Sequence, residues 1–186
     1  MLPPPRATPY RIATVCLGNI CRSPIAAVVL AKRIADAGLA DPSTGSGQRP
    51  STGSGGPLVE VTSAGTGDWH VGEPMDPRAA AVLTAAGLDP SAHRARQFGT
   101  DWLDRDLLLA MDAQNLSDVL ALTPPADRDR VRMFRSFDPE GGPDAEVPDP
   151  WYGGPDGFDL VLAMVERTCR VLVAELDALL RPSSAG

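Results

Sequence analysis

Short runs of apolar residues alternate along this chain with longer stretches whose apolar residues recur at helical spacing. The first pair is an apolar run at residues 11–15, then a glycine-containing turn, then an alanine-rich stretch at residues 24–38. Pro24 suits the first turn of a helix, where a missing N–H costs nothing, and Gly38 suits its C-terminal cap. The pattern therefore predicts a strand, a loop and a helix in that order.

The same alternation continues toward the C-terminal end. Further strands and helices are predicted at residues 58–62, 106–111 and 131–134 and at residues 76–87, 112–122 and 157–180, respectively. Strands separated by helices are typical of a parallel sheet, so we expect an α/β fold in which one domain holds four parallel strands flanked by helices on both faces. Ligands bind beyond the carboxyl ends of such strands, where Cys16, Ser63 and Asp112 would lie.

One segment interrupts this pattern. The string PSTGSG occurs at residues 42–47 and again at residues 50–55, and such a composition does not pack into a core. We expect a flexible insertion at about residues 41–57 inside a single domain that spans residues 11–181. The proline-rich residues 1–10 and the last residues, 182–186, are predicted to be flexible tails.

The charge of the chain excludes several classes of partner. A formal net charge of -7 and a pI of about 4.7 leave no general basic surface for nucleic acid or an anionic membrane. The chain has no apolar run of membrane-spanning length, and its beginning lacks the apolar centre of a signal peptide. Of three cysteines, two lie in one loop, which favours reduced thiols and a cytoplasmic protein. The sequence leaves the oligomeric state open.

The loop between the first strand and the first helix, residues 16–23, carries the candidate chemistry and is called the phosphate loop below. Its backbone N–H groups and the positive end of the helix converge on one small volume, which predicts an anion site. Gly18 and Asn19 tolerate the left-handed backbone that turns successive amides inward. The helix terminus and a nearby cation favour the thiolate form of Cys16. Arg22 offers a planar fork for two phosphate oxygens, and Ser23 can donate to a departing thiolate.

The residues of this loop leave other interpretations open. A cysteine at the end of a buried strand is usually a packing residue, and sulfurtransferases and several phosphatase folds share the Cys-x5-Arg spacing. A nucleotide-binding loop is excluded, because no Gly-Lys-Ser/Thr follows the turn.

Longer sequence motifs favour one of these interpretations of the loop. VCLGNICRSP at residues 15–24 resembles the signature of the low-molecular-weight protein tyrosine phosphatases. Later segments resemble that family in the same order: SAGTGDWHVG at residues 63–72, MDPRA at 75–79, HRARQ at 93–97, Met111, Asp112 and Asn115, and VPDPWY at 147–152. The resemblance covers the chain from about residue 11 into the predicted C-terminal helix.

The resemblance implies a role for each matching residue. Cys16 would be the nucleophile, Arg22 the phosphate clamp, and Asp149 the acid that protonates the departing tyrosyl oxygen and then activates water. An acid is needed because a phenolate, with a pKa of about 10 for its phenol, is a poor leaving group at neutral pH. We call residues 147–152 the acid loop. We expect neither a metal ion nor another cofactor.

Other matching residues would support this chemistry. Asn19, Ser23, Ser63 and His93 correspond to a hydrogen-bond network that holds the phosphate loop, whose remaining members are Leu17, Gly18, Ile20 and Cys21. Leu17, Trp69, Trp151 and Tyr152 would form the walls of a slot for a flat ring. In the family Cys21 forms a protective disulfide with the nucleophile. Asp112 remains open between function and helix capping, His70 is read as polar surface, and Cys169 as core packing.

The chain departs from the family at the repeated insertion and at Trp151, where a tyrosine is common, so the preferred substrate sequence stays open. The expected substrates are tyrosine-phosphorylated proteins or peptides and small aryl phosphates.

Arsenate reductases of similar fold need further cysteines, yet none occurs between Arg22 and Thr168. Protein-arginine phosphatases typically carry Thr at the position of Ile20. A phosphotyrosine-binding pseudoenzyme usually lacks the nucleophile, the arginine or the acid, and this chain has all three.

Overall fold

The computed structural model describes residues 1–40, 58–154 and 156–181. Within them, one sheet contains four strands, which are β1 (Tyr10–Cys16), β2 (Val59–Gly65), β3 (Leu107–Ala110) and β4 (Val131–Met133). Their order is β2-β1-β3-β4, and each neighbouring pair is parallel. The predicted parallel α/β fold is confirmed.

Four α-helices connect and follow the strands: α1 (Arg22–Asp36), α2 (Pro77–Ala85), α3 (Ala113–Leu122) and α4 (Gly157–Leu180). Helix α1 begins two residues before the predicted start, at the last part of the phosphate loop. Asp76 caps α2 by accepting from the N–H of Arg78, and Asp112 caps α3 by accepting from the N–H of Asn115. Each cap follows from a short polar side chain placed directly before a helical pattern.

The core lies on both sides of the sheet, because side chains alternate along a strand. Ile12 of β1 packs in one cluster with residues of α1 and α4, such as Val29 and Leu172. Ala13 and Val15 belong to a second cluster that includes Val119 of α3. Helices thus cover the two faces, which leaves the carboxyl ends of β1, β2 and β3 as the edge where a site can form.

The N-terminal segment differs from the flexible tail expected from the sequence. The side chain of Leu2 is buried, and the fully buried Tyr10 donates its hydroxyl to the carbonyl of Pro3, 3.2 Å away. The N–H groups of Arg6 and Arg11 donate to the two carboxylate oxygens of the residue that directly precedes β3, at 2.6 and 2.7 Å. These long-range contacts give no periodic signal in a proline-rich sequence.

That acceptor is Asp106, whose side chain is buried at the start of β3. It joins the N-terminal segment to the centre of the sheet. The predicted insertion at about residues 41–57 and the predicted tail at residues 182–186 lie outside the described residues. In the described ranges, no helix is long and apolar enough to cross a membrane.

Candidate active site

The phosphate loop begins where β1 ends, at Cys16, and runs into the first turn of α1. Asn19 adopts the left-handed backbone conformation, with φ of 55°. This conformation turns the N–H of Asn19 toward Cys16, to whose Sγ it donates at 3.3 Å. The side-chain hydroxyl of Ser23 lies 3.0 Å from the same sulfur. The N–H of Asn19 stabilises negative charge on the sulfur, and the hydroxyl of Ser23 does so when its single proton points to the sulfur.

A network of hydrogen bonds fixes the loop from behind. Asn19 donates through Nδ2 to the hydroxyl of Ser23 at 2.9 Å and accepts through Oδ1 from the N–H of Arg96, also at 2.9 Å. Nε2 of His93 lies 2.7 Å from the carbonyl oxygen of Asn19. Since that oxygen only accepts, Nε2 carries the proton. Burial lowers the pKa of His93, so the neutral ring is the donor at neutral pH.

Ser63 is the exception among the residues expected in this network. Its side chain is buried in β2, but it makes no hydrogen bond to the phosphate loop within the described residues. The contact from this strand comes instead from the carbonyl of the next residue, Ala64, which lies 3.3 Å from the hydroxyl oxygen of Ser23. The contact with the phosphate loop that we expected from the Ser63 side chain is therefore made by the backbone of β2.

The end of β2 also requires a glycine. The N–H groups of Thr66 and Gly67 donate to the carbonyls of Cys16 and Leu17, each at 2.9 Å. A Cβ atom on Gly65 would lie only 2.6 Å from the carbonyl oxygen of Leu17. Such a close approach of two backbone segments is possible because Gly65 has no side chain.

Arg22 connects the phosphate loop to two carboxylates. Its Nη1 donates to Asp112 at 2.6 Å and its Nη2 to Asp149 at 3.0 Å, while Nη1 also lies 3.3 Å from the carbonyl of Val147. Burial of the guanidinium opposes its charge, but Cys16 and the two carboxylates outweigh this effect and raise the pKa of Arg22. The guanidinium is therefore positively charged throughout the physiological range.

Asp112, which the sequence left open between function and helix capping, caps a helix and also contacts Arg22. One carboxylate oxygen caps α3 by accepting from the N–H of Asn115 at 2.7 Å, and the other accepts from Arg22. The start of α3 and the orientation of the guanidinium thus depend on the same side chain.

Asp149 lies at the beginning of a short 3-10 helix, Pro150–Tyr152, and one of its oxygens accepts from the N–H of Trp151 at 3.0 Å. Residues of the acid loop and of the phosphate loop line the same cavity. The two loops meet through the contact between Asp149 and Arg22.

A cavity of about 140 Å³ opens between the two loops. It is lined by a thiol, a guanidinium, a carboxylate and several apolar and aromatic side chains. The lining residues are Cys16, Leu17, Gly18, Ile20, Cys21, Arg22, Trp69, His70, Asp149, Trp151 and Tyr152. His70 was read from the sequence as polar surface, although it directly follows Trp69 in a segment that resembles the family. Its Nδ1 lies 2.6 Å from a carboxylate oxygen of Glu73.

The remaining candidate residues are thiols. Cys21 and Cys169 are buried and free. Burial, together with the carboxylate of Asp76, raises the pKa of Cys21 to about 12. No group of three or more His, Cys, Asp or Glu residues in the described part of the chain is placed to hold a metal ion.

A thiol, a buried guanidinium and a carboxylate around one anion-binding loop form an arrangement typical of cysteine-dependent phosphatases. The model of the family described as low molecular weight phosphotyrosine protein phosphatase matches residues 11–181. The chain belongs to this family, whose members are hydrolases of phosphoric monoesters.

Individual relatives agree with the family match. The chain is 47% identical over 170 residues to a low molecular weight protein-tyrosine-phosphatase of Streptomyces coelicolor, which covers 89% of this chain and 92% of the relative. It is 44% identical over 159 residues to the low molecular weight protein-tyrosine phosphatase A of Mycobacterium tuberculosis, with 85% and 86% of the two chains covered. A crystal structure of a protein tyrosine phosphatase from Entamoeba histolytica matches with a TM-score of 0.75 at 30% identity and covers 90% of this chain and 96% of its own.

Proposed function

We propose that this protein hydrolyses phosphotyrosine monoesters in proteins or peptides through a phosphocysteine at Cys16. The observation that carries the proposal is the position of Arg22, which contacts Asp149 directly and lines the same cavity as the thiol. Nucleophile, clamp and acid are thereby held around one volume.

In the first step, the thiolate of Cys16 attacks phosphorus and the bond between phosphorus and the tyrosyl oxygen breaks. Asp149, protonated at this stage, transfers its proton to that oxygen, so that tyrosine leaves as a neutral phenol. Arg22 and the inward N–H groups of the phosphate loop stabilise the charge that spreads over the three remaining oxygens.

In the second step, water attacks the phosphocysteine and the bond between sulfur and phosphorus breaks. Asp149, now a carboxylate, accepts the proton of the water. Because Asn19 donates to the oxygen of Ser23, the single hydroxyl proton of Ser23 can turn from the Ala64 carbonyl to the sulfur as negative charge returns to it. Inorganic phosphate is then the second product, and the thiolate is regenerated.

The walls of the cavity favour an aryl group. Trp69, Trp151 and Tyr152 supply flat apolar surfaces beside the thiol, and Ile20 gives this part of the phosphate loop an apolar side chain. Tyr152 and Trp69 remain largely exposed, which leaves the mouth of the cavity open to a residue on a polypeptide. We also propose a cytoplasmic location, because a reducing compartment keeps the nucleophilic thiol reduced.

The proposal is tested by measuring phosphate release from a phosphotyrosine peptide, para-nitrophenyl phosphate and a phosphoarginine peptide, and reduction of arsenate in a parallel assay. We expect vanadate-sensitive hydrolysis of the two aryl phosphates. Preference for phosphoarginine, or turnover of arsenate alone, would replace the proposed reaction by that of a relative with the same fold. Tight phosphotyrosine binding without any turnover would identify a binding protein instead.

A further inference from the structure

Arg78, which the catalytic steps above do not use, lies between two aromatic rings. Its guanidinium carbon is 5.0 Å from the ring centroid of Trp151 and 4.9 Å from that of Phe158. Trp151 belongs to the acid loop and lines the catalytic cavity, whereas Phe158 is buried in the first turn of α4. Arg78 therefore joins the acid loop to the core through cation–π contacts.

The orientation of this guanidinium is fixed by Asp76. Nε of Arg78 donates to one carboxylate oxygen of Asp76 at 3.1 Å and Nη2 donates to the other at 3.0 Å. Burial disfavours the charged carboxylate, but the hydrogen bonds from Arg78 lower the pKa of Asp76 overall. This two-point contact holds the plane of the guanidinium, as a single-point contact from a lysine would not.

Asp76 is also attached to the phosphate loop. Its N–H donates to the carbonyl oxygen of Ile20 at 2.9 Å, and its carboxylate caps α2. A continuous chain of contacts thus runs from Ile20 in the phosphate loop through Asp76 and Arg78 to Trp151 in the acid loop. Trp151 is two residues from Asp149, whose carboxylate accepts from the N–H of Trp151.

The acid loop has little packing on its outer side. One surface cavity of about 380 Å³ is lined by residues that include Pro148, Asp149 and Pro150, and another of about 450 Å³ lies beside Arg78 and Phe158. Both include the two consecutive glycines that follow the 3-10 helix, and a Cβ atom on the second of these, Gly154, would meet no atom within 4 Å. The contact with Arg78 therefore contributes more to the position of the acid loop than it would in a densely packed loop.

We propose that Arg78 is a positioning residue for the general acid: it holds Trp151 at a fixed distance from the phosphate loop and thereby keeps Asp149 beside the leaving oxygen. The inference rests on the proposed role of Asp149. Arg78 acts through the acid loop, without contact to the reacting atoms.

The test compares kcat/KM for a phosphotyrosine peptide with kcat/KM for para-nitrophenyl phosphate, whose leaving group depends less on the acid. Cation–π contacts of this kind correspond to a rate change of about two- to fivefold. We expect Arg78→Ala to lower kcat/KM by about this factor with the peptide and by less with the activated ester. Arg78→Lys, which keeps the charge and loses the fork, is expected to lie between Arg78→Ala and the wild type. Arg170→Ala, at an exposed arginine of α4, is the control.

A second arm places Arg78→Ala in an Asp149→Asn background, with all rates normalised to the folded fraction obtained from thermal unfolding. If Arg78 acts through Asp149, its removal has little further effect once the acid is absent, so the two losses are not additive. An unchanged loss in the Asp149→Asn background, or equal losses with the two substrates, would overturn the positioning role. The Asp149→Asn variant keeps Arg78 intact. Full activity of this variant would overturn the proposed role of Asp149 as the acid.

Discussion

The phosphate loop and the acid loop face the same cavity but are held in different ways. Asn19 and Ser23 in the phosphate loop are almost completely buried and hydrogen-bonded to each other, to the nucleophile and to neighbouring backbone. In the acid loop, Trp151 is 43% exposed and Tyr152 is 89% exposed. The binding half of the site is therefore preorganised, whereas the half that transfers protons depends on a few contacts at the surface.

The largest effect is expected from Cys16→Ser, which removes the nucleophile and leaves the cradle. Because a serine hydroxyl is far less acidic than a thiol, turnover should fall by roughly four orders of magnitude or more. Affinity for a phosphotyrosine peptide, measured by calorimetry, should stay within about tenfold of the wild type, since Arg22 and the loop N–H groups remain. Cys169→Ala, in α4, is the control. Turnover close to that of the wild type would contradict a phosphocysteine at this position.

The next effect separates the two loops directly. Asp149→Asn should lower kcat/KM for phosphotyrosine by about 10²-fold or more and that for para-nitrophenyl phosphate by clearly less, because a better leaving group needs less protonation. The affinity for vanadate should not fall, since vanadate is held by the phosphate loop and the neutral asparagine neither repels it nor competes as an anion for Arg22. Asp156→Asn, a nearby exposed carboxylate, serves as the control. Losses of the same size for both substrates would show that Asp149 is not the acid.

A third change tests the support of the acid loop. Asp138 accepts from Arg167 at 2.6 and 2.8 Å and from Arg135 at 2.9 Å, and Arg135 also donates to the carbonyl of Glu146, next to the acid loop. The contacts with Arg167 in particular lower the pKa of Asp138 from 3.8 to about 2. This shift corresponds to about 2 kcal/mol of stability, which is present above pH 4 and lost as the pH falls toward 2.

Asp138→Asn should therefore reduce the free energy of unfolding at pH 7, measured with urea, by about 2 kcal/mol. The difference from the wild type should shrink below pH 4. Asp144→Asn, an exposed carboxylate in the same segment, should leave stability unchanged. An Asp138→Asn protein as stable as the wild type at pH 7 would mean that the contacts of Asp138 with Arg135 and Arg167 do not stabilise the fold.

The smallest effect concerns oxidation and lies within the phosphate loop. Cys21→Ser should keep substantial initial activity but regain less of it than the wild type after peroxide followed by thiol reduction, because Cys21 can intercept the sulfenic acid of Cys16. With its pKa raised to about 12, Cys21 reacts mainly through a small thiolate fraction, so protection should be faster at pH 8 than at pH 7. Equal recovery of variant and wild type would leave Cys21 with packing alone.

The sequence predicted the sheet and the phosphate loop well because both depend on local signals. Apolar runs mark the strands, and Pro24 and Asn19 mark where the chain turns into α1. The contacts that the sequence did not reveal all join distant segments. Leu2 in the core, the use of the Ala64 carbonyl in place of the Ser63 side chain, and the stacking of Arg78 on Trp151 leave no periodic pattern.

The acid loop also could not be predicted from local sequence signals alone. A resemblance of short strings indicated Asp149, yet an Asp-Pro pair read alone is a turn. The contact of Asp112 with Arg22 and the place of His70 on the cavity wall are visible only in the structure. Sequence reasoning thus named the residues proposed to react, and the structure supplied the contacts around them.

Sharing Arg22 between two carboxylates has a consequence for how the protein binds anions. An incoming phosphate and the carboxylate of Asp149 compete for the same Nη2 donor, and the two anions also repel each other. A phosphate that binds at this donor therefore requires Asp149 to leave Nη2. Arg22 then exchanges one anion for another, and occupation of the phosphate loop is passed on to the acid loop.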